Sequence, residues 1–125
     1  MPWNSAVPNL GFSGAEPWLP VGESHRLLAA DAQETHADSN LQFARECLRL
    51  RSAHPALRRG SMRILEAGEQ RLVFERACGG ERLRCTFNLS NRPAPLVPAR
   101  KPLVSVGEFD AETLGPYAAV IDVIE

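Results

Sequence analysis

The sequence predicts a mainly β chain, an antiparallel β-sandwich preceded by a long loop and one α-helix. Three observations carry that expectation. Gly79-Gly80 separates two alternating apolar and polar runs. Further short apolar runs follow at turn-punctuated spacing with no helix between them. Helical periodicity is confined to residues from about 38 to 53.

Residues 1–37 read as a loop. Both tryptophans of the chain fall within the first twenty-one residues, with four of its ten prolines. Trp3, Phe12 and Trp18 bring large apolar surface, yet nothing periodic around them forms a core to receive it. Long structureless segments in compact domains are uncommon and usually functional or lid-like. The expectation is a segment that lies on a body outside this chain.

The helix has start and stop signals. Asp38 or Ser39 can accept hydrogen bonds from the first-turn N–H groups. Leu41, Ala44, Cys47 and Leu48 then share a face, and Phe43 and Leu50 widen it, leaving Gln42, Arg45, Glu46 and Arg49 for solvent. An apolar arc this broad implies burial against more than one neighbour. His54-Pro55 ends the helix, because Pro55 disfavours helical angles at His54 and cannot donate to the ladder. Gly60 punctuates the switch to strands. The expected division is 1–54, loop and helix, and 55–125, the sandwich.

A glycine pair is a favoured two-residue hairpin turn. With Gly79-Gly80 as the turn, Cys78 faces Glu81, Arg76 faces Leu83, Phe74 faces Cys85 and Leu72 faces Phe87. One face then carries Leu72, Phe74, Leu83, Cys85 and Phe87. The other carries Val73, Glu75, Arg82, Arg84 and Thr86, with Glu75 opposite Arg84. That separation predicts one buried face and one solvated face. Burying the five apolar side chains is worth roughly 1.5–3 kcal/mol each as an upper figure. The Glu75–Arg84 pair is worth about 0–1 kcal/mol if exposed. Ser61 to Glu66 (Met62 and Ile64 on one face), Lys101 to Val106 and Tyr117 to Ile124 are further strands. Asn91 to Pro98 holds three prolines and reads as an edge or a loop.

Composition excludes several classes. A net charge of −1 lacks the basic excess of a generic nucleic-acid or anionic-membrane binder. No run is long enough to span a bilayer as a helix, and no basic segment leads into an apolar one at the N-terminus. The expectation is a soluble cytoplasmic protein. Cys47, Cys78 and Cys85 are odd in number and lack metal spacing, so they read as small buried or half-buried hydrophobes in a reducing compartment.

The chain as a whole resembles the C-terminal end of α-glucosidases of glycoside hydrolase family 13, the α-amylase family. Met1-Pro2-Trp3 resembles the end of the family's Arg-Thr-Pro-Met-(Gln/Pro)-Trp motif, late in the barrel. Gly11-Phe12-Ser13 and Pro17-Trp18-Leu19-Pro20-Val21 look like the loop after it. Ala32-Gln33, Asp38-Ser39, Leu41, Phe43 and Leu50-Arg51 are similar to the helix that closes the barrel. His54-Pro55-Ala56-Leu57 and Gly60 look like the junction into the C-terminal domain. Phe87-Asn88-Leu89-Ser90 and Leu114-Gly115-Pro116-Tyr117 resemble a strand end inside that domain and the approach to its last strand. The resemblance implies a (β/α)8 barrel parent, a Greek-key-like C-terminal β-domain, and cleavage of α-glucosidic bonds by a retaining mechanism. In the family the catalytic aspartate, glutamate and supporting aspartate lie upstream of this segment, and the motif's arginine has no counterpart here. The expected role is therefore non-catalytic, with no cofactor and the barrel as partner.

The residues themselves offer few rivals to that reading. Glu108, Asp110 and Glu112 lie close together, but Gly107 and Gly115 suggest a solvated loop rather than the two carboxyls, about 5–5.5 Å apart, of a retaining site. His25, His36 and His54 lack a metal-like partner at helical spacing, although His36 lies near Glu34 and Asp38. The serines have no nucleophile-elbow context. Arg58-Arg59 with Arg45, Arg49 and Arg51 read as a solvated basic face. Trp3, Phe12 and Trp18 remain. They either anchor the loop to the barrel, the favoured reading, or stack on sugar rings. The stripe of Leu41, Cys47, Leu48 and Leu50 would self-associate if left uncovered.

Overall fold

The computed structural model describes residues 1–97 and 101–124. The chain forms two compact units, Met1–Leu48 and Arg49–Glu125. The boundary falls inside helix α2.

The first unit is more structured than a loop. It holds single 3-10 turns at Pro8–Gly11 and Glu23–Arg26, a short helix α1 (Ala30–Glu34) and the start of α2 (Asn40–Ala53). Asn9 and Leu10 adopt left-handed backbone angles, φ 53° each, and Gly11 follows at 73°. That reversal buries Leu10 and lets its carbonyl accept the N–H of Trp3 at 2.8 Å and of Asn4 at 3.1 Å. Asp31 ties the lead-in to α1, accepting from the Ser5 N–H at 2.9 Å and the Ser5 hydroxyl at 3.0 Å. Desolvation opposes the charged carboxylate, but these bonds and the Ala32 N–H outweigh it and hold Asp31 below the ordinary carboxylate value. The segment is thus ordered by backbone and carboxylate hydrogen bonds, a signal that hydrophobic periodicity does not carry.

Helix α2 starts where its capping residues predict. The Ser39 hydroxyl accepts the Gln42 N–H at 3.3 Å. It ends at His54, whose φ −109° and ψ 104° are extended. The proline does more than stop it. Pro55 occupies the first turn of a second helix, α3 (Pro55–Arg59), where a missing N–H costs nothing. Gly60 closes α3 in a space with no room for a side chain, because a Cβ there would stand 2.4 Å from the Ala56 carbonyl oxygen.

The second unit is mainly antiparallel β. Strands β1 (Ser61–Ala67), β2 (Arg71–Cys78), β3 (Glu81–Asn88), β5 (Lys101–Val106) and β7 (Ala119–Val123) form a five-stranded sheet in the order β1-β2-β3-β7-β5. Strands β4 (Ala94–Pro95) and β6 (Thr113–Leu114) pair separately. The path runs from β3 out to the edge as β5, then back as β7 between them, a Greek-key-like order. The β2–β3 register follows the glycine turn throughout, with Leu72 opposite Phe87, Phe74 opposite Cys85 and Cys78 opposite Glu81. Gly79 takes φ +62°, which a glycine accepts without strain. Within the proline-rich stretch, Ala94–Pro95 is a strand rather than loop throughout, and Pro98 lies outside the described residues.

The two sheet faces correct the expectation of one buried and one solvated face. The supposedly solvated face carries the core. Val73, Thr86, Val120 and Asp122 are buried there, and Leu96, Leu114, Ala118 and Val120 form one cluster. Residues 94–97 cross this face, where Arg84 donates to the Val97 carbonyl at 3.2 Å and Arg71 donates to the Pro95 carbonyl. Asp110 and the Phe109–Leu114 bridge hold the adjoining turn. On the opposite face Leu83 and Cys85 are buried, but Leu72, Phe74 and Phe87 are only half-buried and Met62 and Ile64 are exposed. Phe74 and Phe87 stack at 5.8 Å on that face. The expected Glu75–Arg84 pair is also replaced. Glu75 accepts from Arg63 at 2.7 Å and Arg82 at 3.0 Å, while Arg84 bonds Asp122 at 2.9 Å.

Candidate functional site

Of the acidic trio, Asp110 is engaged by its own turn. Glu108, Asp110 and Glu112 are exposed. Asp110 caps its own turn, accepting the Glu112 N–H at 2.9 Å and the Thr113 N–H at 2.7 Å. Those two backbone bonds hold its carboxyl below the ordinary range. A carboxylate so engaged is a poor nucleophile and a poor acid, because both roles need an oxygen aimed at substrate.

Three of the other polar candidates, Arg45, Arg51 and His54, have partners within the structure. Arg45 pairs with Glu34, its second nitrogen lying 2.9 Å from the carboxylate. Arg51 donates to the Leu57 carbonyl at 2.6 Å. His36 is exposed, and His54 contacts Glu81 at 2.5 Å. Among the described residues no three His, Cys, Asp or Glu side chains come together as metal ligands, and the three cysteines are free thiols. Burial pushes the Cys85 thiol up to about 11, so it is inert at neutral pH.

What remains is apolar surface. In the first unit Trp18 is 91% exposed, Trp3 54% and Phe12 44%. Phe12 and Trp18 meet in an open groove of about 340 Å³, with Leu10, Leu19, Val21 and His25. Trp3 is not part of it. The prolines at 17 and 20 signal the stiff half of this wall. Leu10 and His25 carry no such signal, since a leucine at positive φ is rare and its placement follows from the turn at Asn9. Among the described residues His25 is the one titratable side chain in the lining.

In α2, Leu48 is 64% exposed, Phe43 is exposed, and Leu41, Cys47 and Leu50 are half-buried. The apolar face of the five-stranded sheet is the matching feature of the second unit. The sequence arc and the alternation of β1 and β2 marked these residues as core, yet they are incompletely covered.

No family model matches the chain. It is 40% identical over 94 residues to a probable α-glucosidase of Rhizobium meliloti, covering 75% of this chain and 17% of that protein. It is 30% identical over 126 residues to an α-glucosidase of Pediococcus pentosaceus, covering 95% of this chain and 22% of that protein. The chain thus spans about a fifth of the length of these relatives. Among solved structures, an α-glucosyl transfer enzyme shares 36% identity with a TM-score of 0.79, over 98% of this chain and 24% of its own. Isomaltulose synthase from Klebsiella sp. LX3, at 23% identity, shares the fold with a TM-score of 0.81 over 98% of this chain and 24% of its own. With its antiparallel β-domain matching theirs, the chain belongs to glycoside hydrolase family 13 and corresponds to a C-terminal segment of its α-glucosidase members.

Proposed function

We propose that this segment is a non-catalytic structural part of an α-glucosidase-type enzyme, and that its two apolar surfaces seat it against the catalytic barrel. The division of labour would fall near His54, with the lead-in and α2 closing the barrel and residues 55–125 forming the supporting β-domain. The observation that carries this reading is the sheet. The cluster of Leu96, Leu114, Ala118 and Val120 lies on one face, while the other buries Leu83 and Cys85 but leaves Met62, Ile64, Phe74 and Phe87 incompletely covered. A soluble protein rarely leaves so contiguous an apolar face open unless something packs on it. Trp18 and the α2 stripe are the counterparts in the first unit.

The parent reaction on this reading is hydrolysis or transfer at α-glucosidic bonds with retention. One carboxylate attacks the anomeric carbon as the other protonates the departing oxygen, and water or an acceptor sugar then releases the glycosyl-enzyme. Residues of the barrel would perform those steps. The purified 125-residue chain should give no turnover of a chromogenic α-glucoside above the buffer rate. Measurable release of the chromophore, lost on neutralising Glu108 or Glu112, would refute the assignment. A sugar-stacking role for Trp18 is the second reading, supported by its exposure. Tryptophan emission unchanged by millimolar maltose or isomaltose would remove it.

A further inference from the structure

Helix α3 is hydrogen-bonded to the β2–β3 hairpin at Ala56, on one side through the Glu81 carboxylate and on the other through Arg76. Ala56, fully buried, donates its N–H to Glu81 Oε2 at 2.9 Å. Its carbonyl accepts from Arg76 Nε at 3.0 Å and from the Gly60 N–H at 3.2 Å. The other oxygen of Glu81, Oε1, lies 2.5 Å from His54 Nδ1. His54 precedes the first residue of α3 and supplies no side-chain cap of its own. Glu81 therefore caps α3 from another strand, and it also fixes the imidazole that marks the bend between α2 and α3. We propose that His54 and Glu81 form an acid-sensitive latch that fastens the start of α3 to the hairpin turn.

The chemistry follows from the acceptor count. An ionised carboxylate offers an oxygen to each donor at once. Protonating Glu81 turns one oxygen into a donor, so either the Ala56 N–H or the His54 Nδ1–H loses its partner. The hydrogen bond from His54, then that from Ala56, holds the Glu81 carboxyl below the ordinary range. The latch is closed above that range and opens as pH falls through the lowered value. The other charged or titratable groups of the packed elements are Arg58 and Arg59 on α3, Arg71, Glu75, Arg76 and Cys78 on β2, and Arg82, Arg84 and Cys85 on β3, with Arg51 of α2 donating to the Leu57 carbonyl of α3. Cys78 sits opposite Glu81 in register.

Proton and nitrogen NMR of the 125-residue chain tests this directly. On acidification the Ala56 amide should shift with protonation of the Glu81 carboxyl, below the ordinary glutamate range of about 4.3. A Glu81→Gln variant keeps one acceptor oxygen, so that transition should vanish and Ala56 amide exchange should quicken about tenfold. An Ala56 amide that ignores pH between about 2 and 7 in the parent chain would overturn the latch, as would exchange unchanged in a folded Glu81→Gln variant. Should that variant not fold, the titration of the parent chain decides the matter unaided.

Discussion

At the scale of single residues, Asn88 shows how one side chain organises a loop that no periodicity describes. It is buried, and its amide nitrogen donates to the carbonyls of Arg92 at 2.7 Å, Leu114 at 3.2 Å and Gly115 at 2.8 Å. Its oxygen accepts from the Ser90 N–H at 3.0 Å and the Ser90 hydroxyl at 2.9 Å. Donors and acceptor are therefore both committed, and only an amide satisfies the whole set. Asn88→Ala strips partners from buried groups and should cost about 3 kcal/mol or more. Asn88→Asp keeps the shape but aims a carboxylate at carbonyl oxygens, so its urea midpoint should fall below that of Asn88→Ala. An Asp variant as stable as the parent would disprove the donor assignment. The motif Asn88-Leu89-Ser90 was visible in the sequence as a strand end, and its role as a hub was not, because its partners lie up to 27 positions away.

At the scale of elements, the sheet carries a row of alternating charge that the hairpin register brings into line. Arg63 lies opposite Glu75, Glu75 opposite Arg84, and Arg84 opposite Asp122, across β1, β2, β3 and β7. Burial rises along the row, the side chain of Arg63 being 67% exposed and that of Asp122 0%. Replacing Arg84 with Met removes the guanidinium 2.9 Å from the buried Asp122 carboxylate and should cost about 3–5 kcal/mol. Arg63→Met removes an exposed partner and should cost about 1 kcal/mol or less, and equal losses in urea would refute the gradient. Acid should weaken the same sheet. The bond from Arg63 holds Glu75 below its ordinary value, and the bond from Arg71 does the same for Glu66. Lowered folded-state values mean stability that is present above about 4.3, the unfolded value, and lost as pH falls through them. The urea midpoint should therefore drop between about pH 5 and pH 3. The β2–β3 pairing was legible because a two-residue turn fixes register. Which face is buried was not. Alternation sorts side chains into two sets but does not say what covers each, and the cover on the Glu75 face comes from residues 94–97 and 114–120, remote in sequence.

At the scale of the molecule, the open apolar surfaces set its behaviour in solution. In a chain that buries every oily stripe, changing Ile64 to Lys would remove packing. Here Ile64 is exposed on the half-covered sheet face, beside Met62 and opposite half-buried Phe74. Ile64→Lys should alter the stability of the 125-residue chain by only about 0.5 kcal/mol. It should nonetheless lower self-association, because a charge in the centre of an apolar contact is costly to desolvate. Leu48→Lys on α2 should act the same way, and the two effects should add if both surfaces are sticky. In a protein that carries the barrel, the proposed packing makes the opposite demand. Ile64→Lys would then bury a lone cation and cost several kcal/mol. Sedimentation velocity and urea unfolding of both forms separate the outcomes. A parent chain that stays monomeric at millimolar concentration, or an Ile64→Lys change equally mild with and without the barrel, would show that this face is not a docking surface.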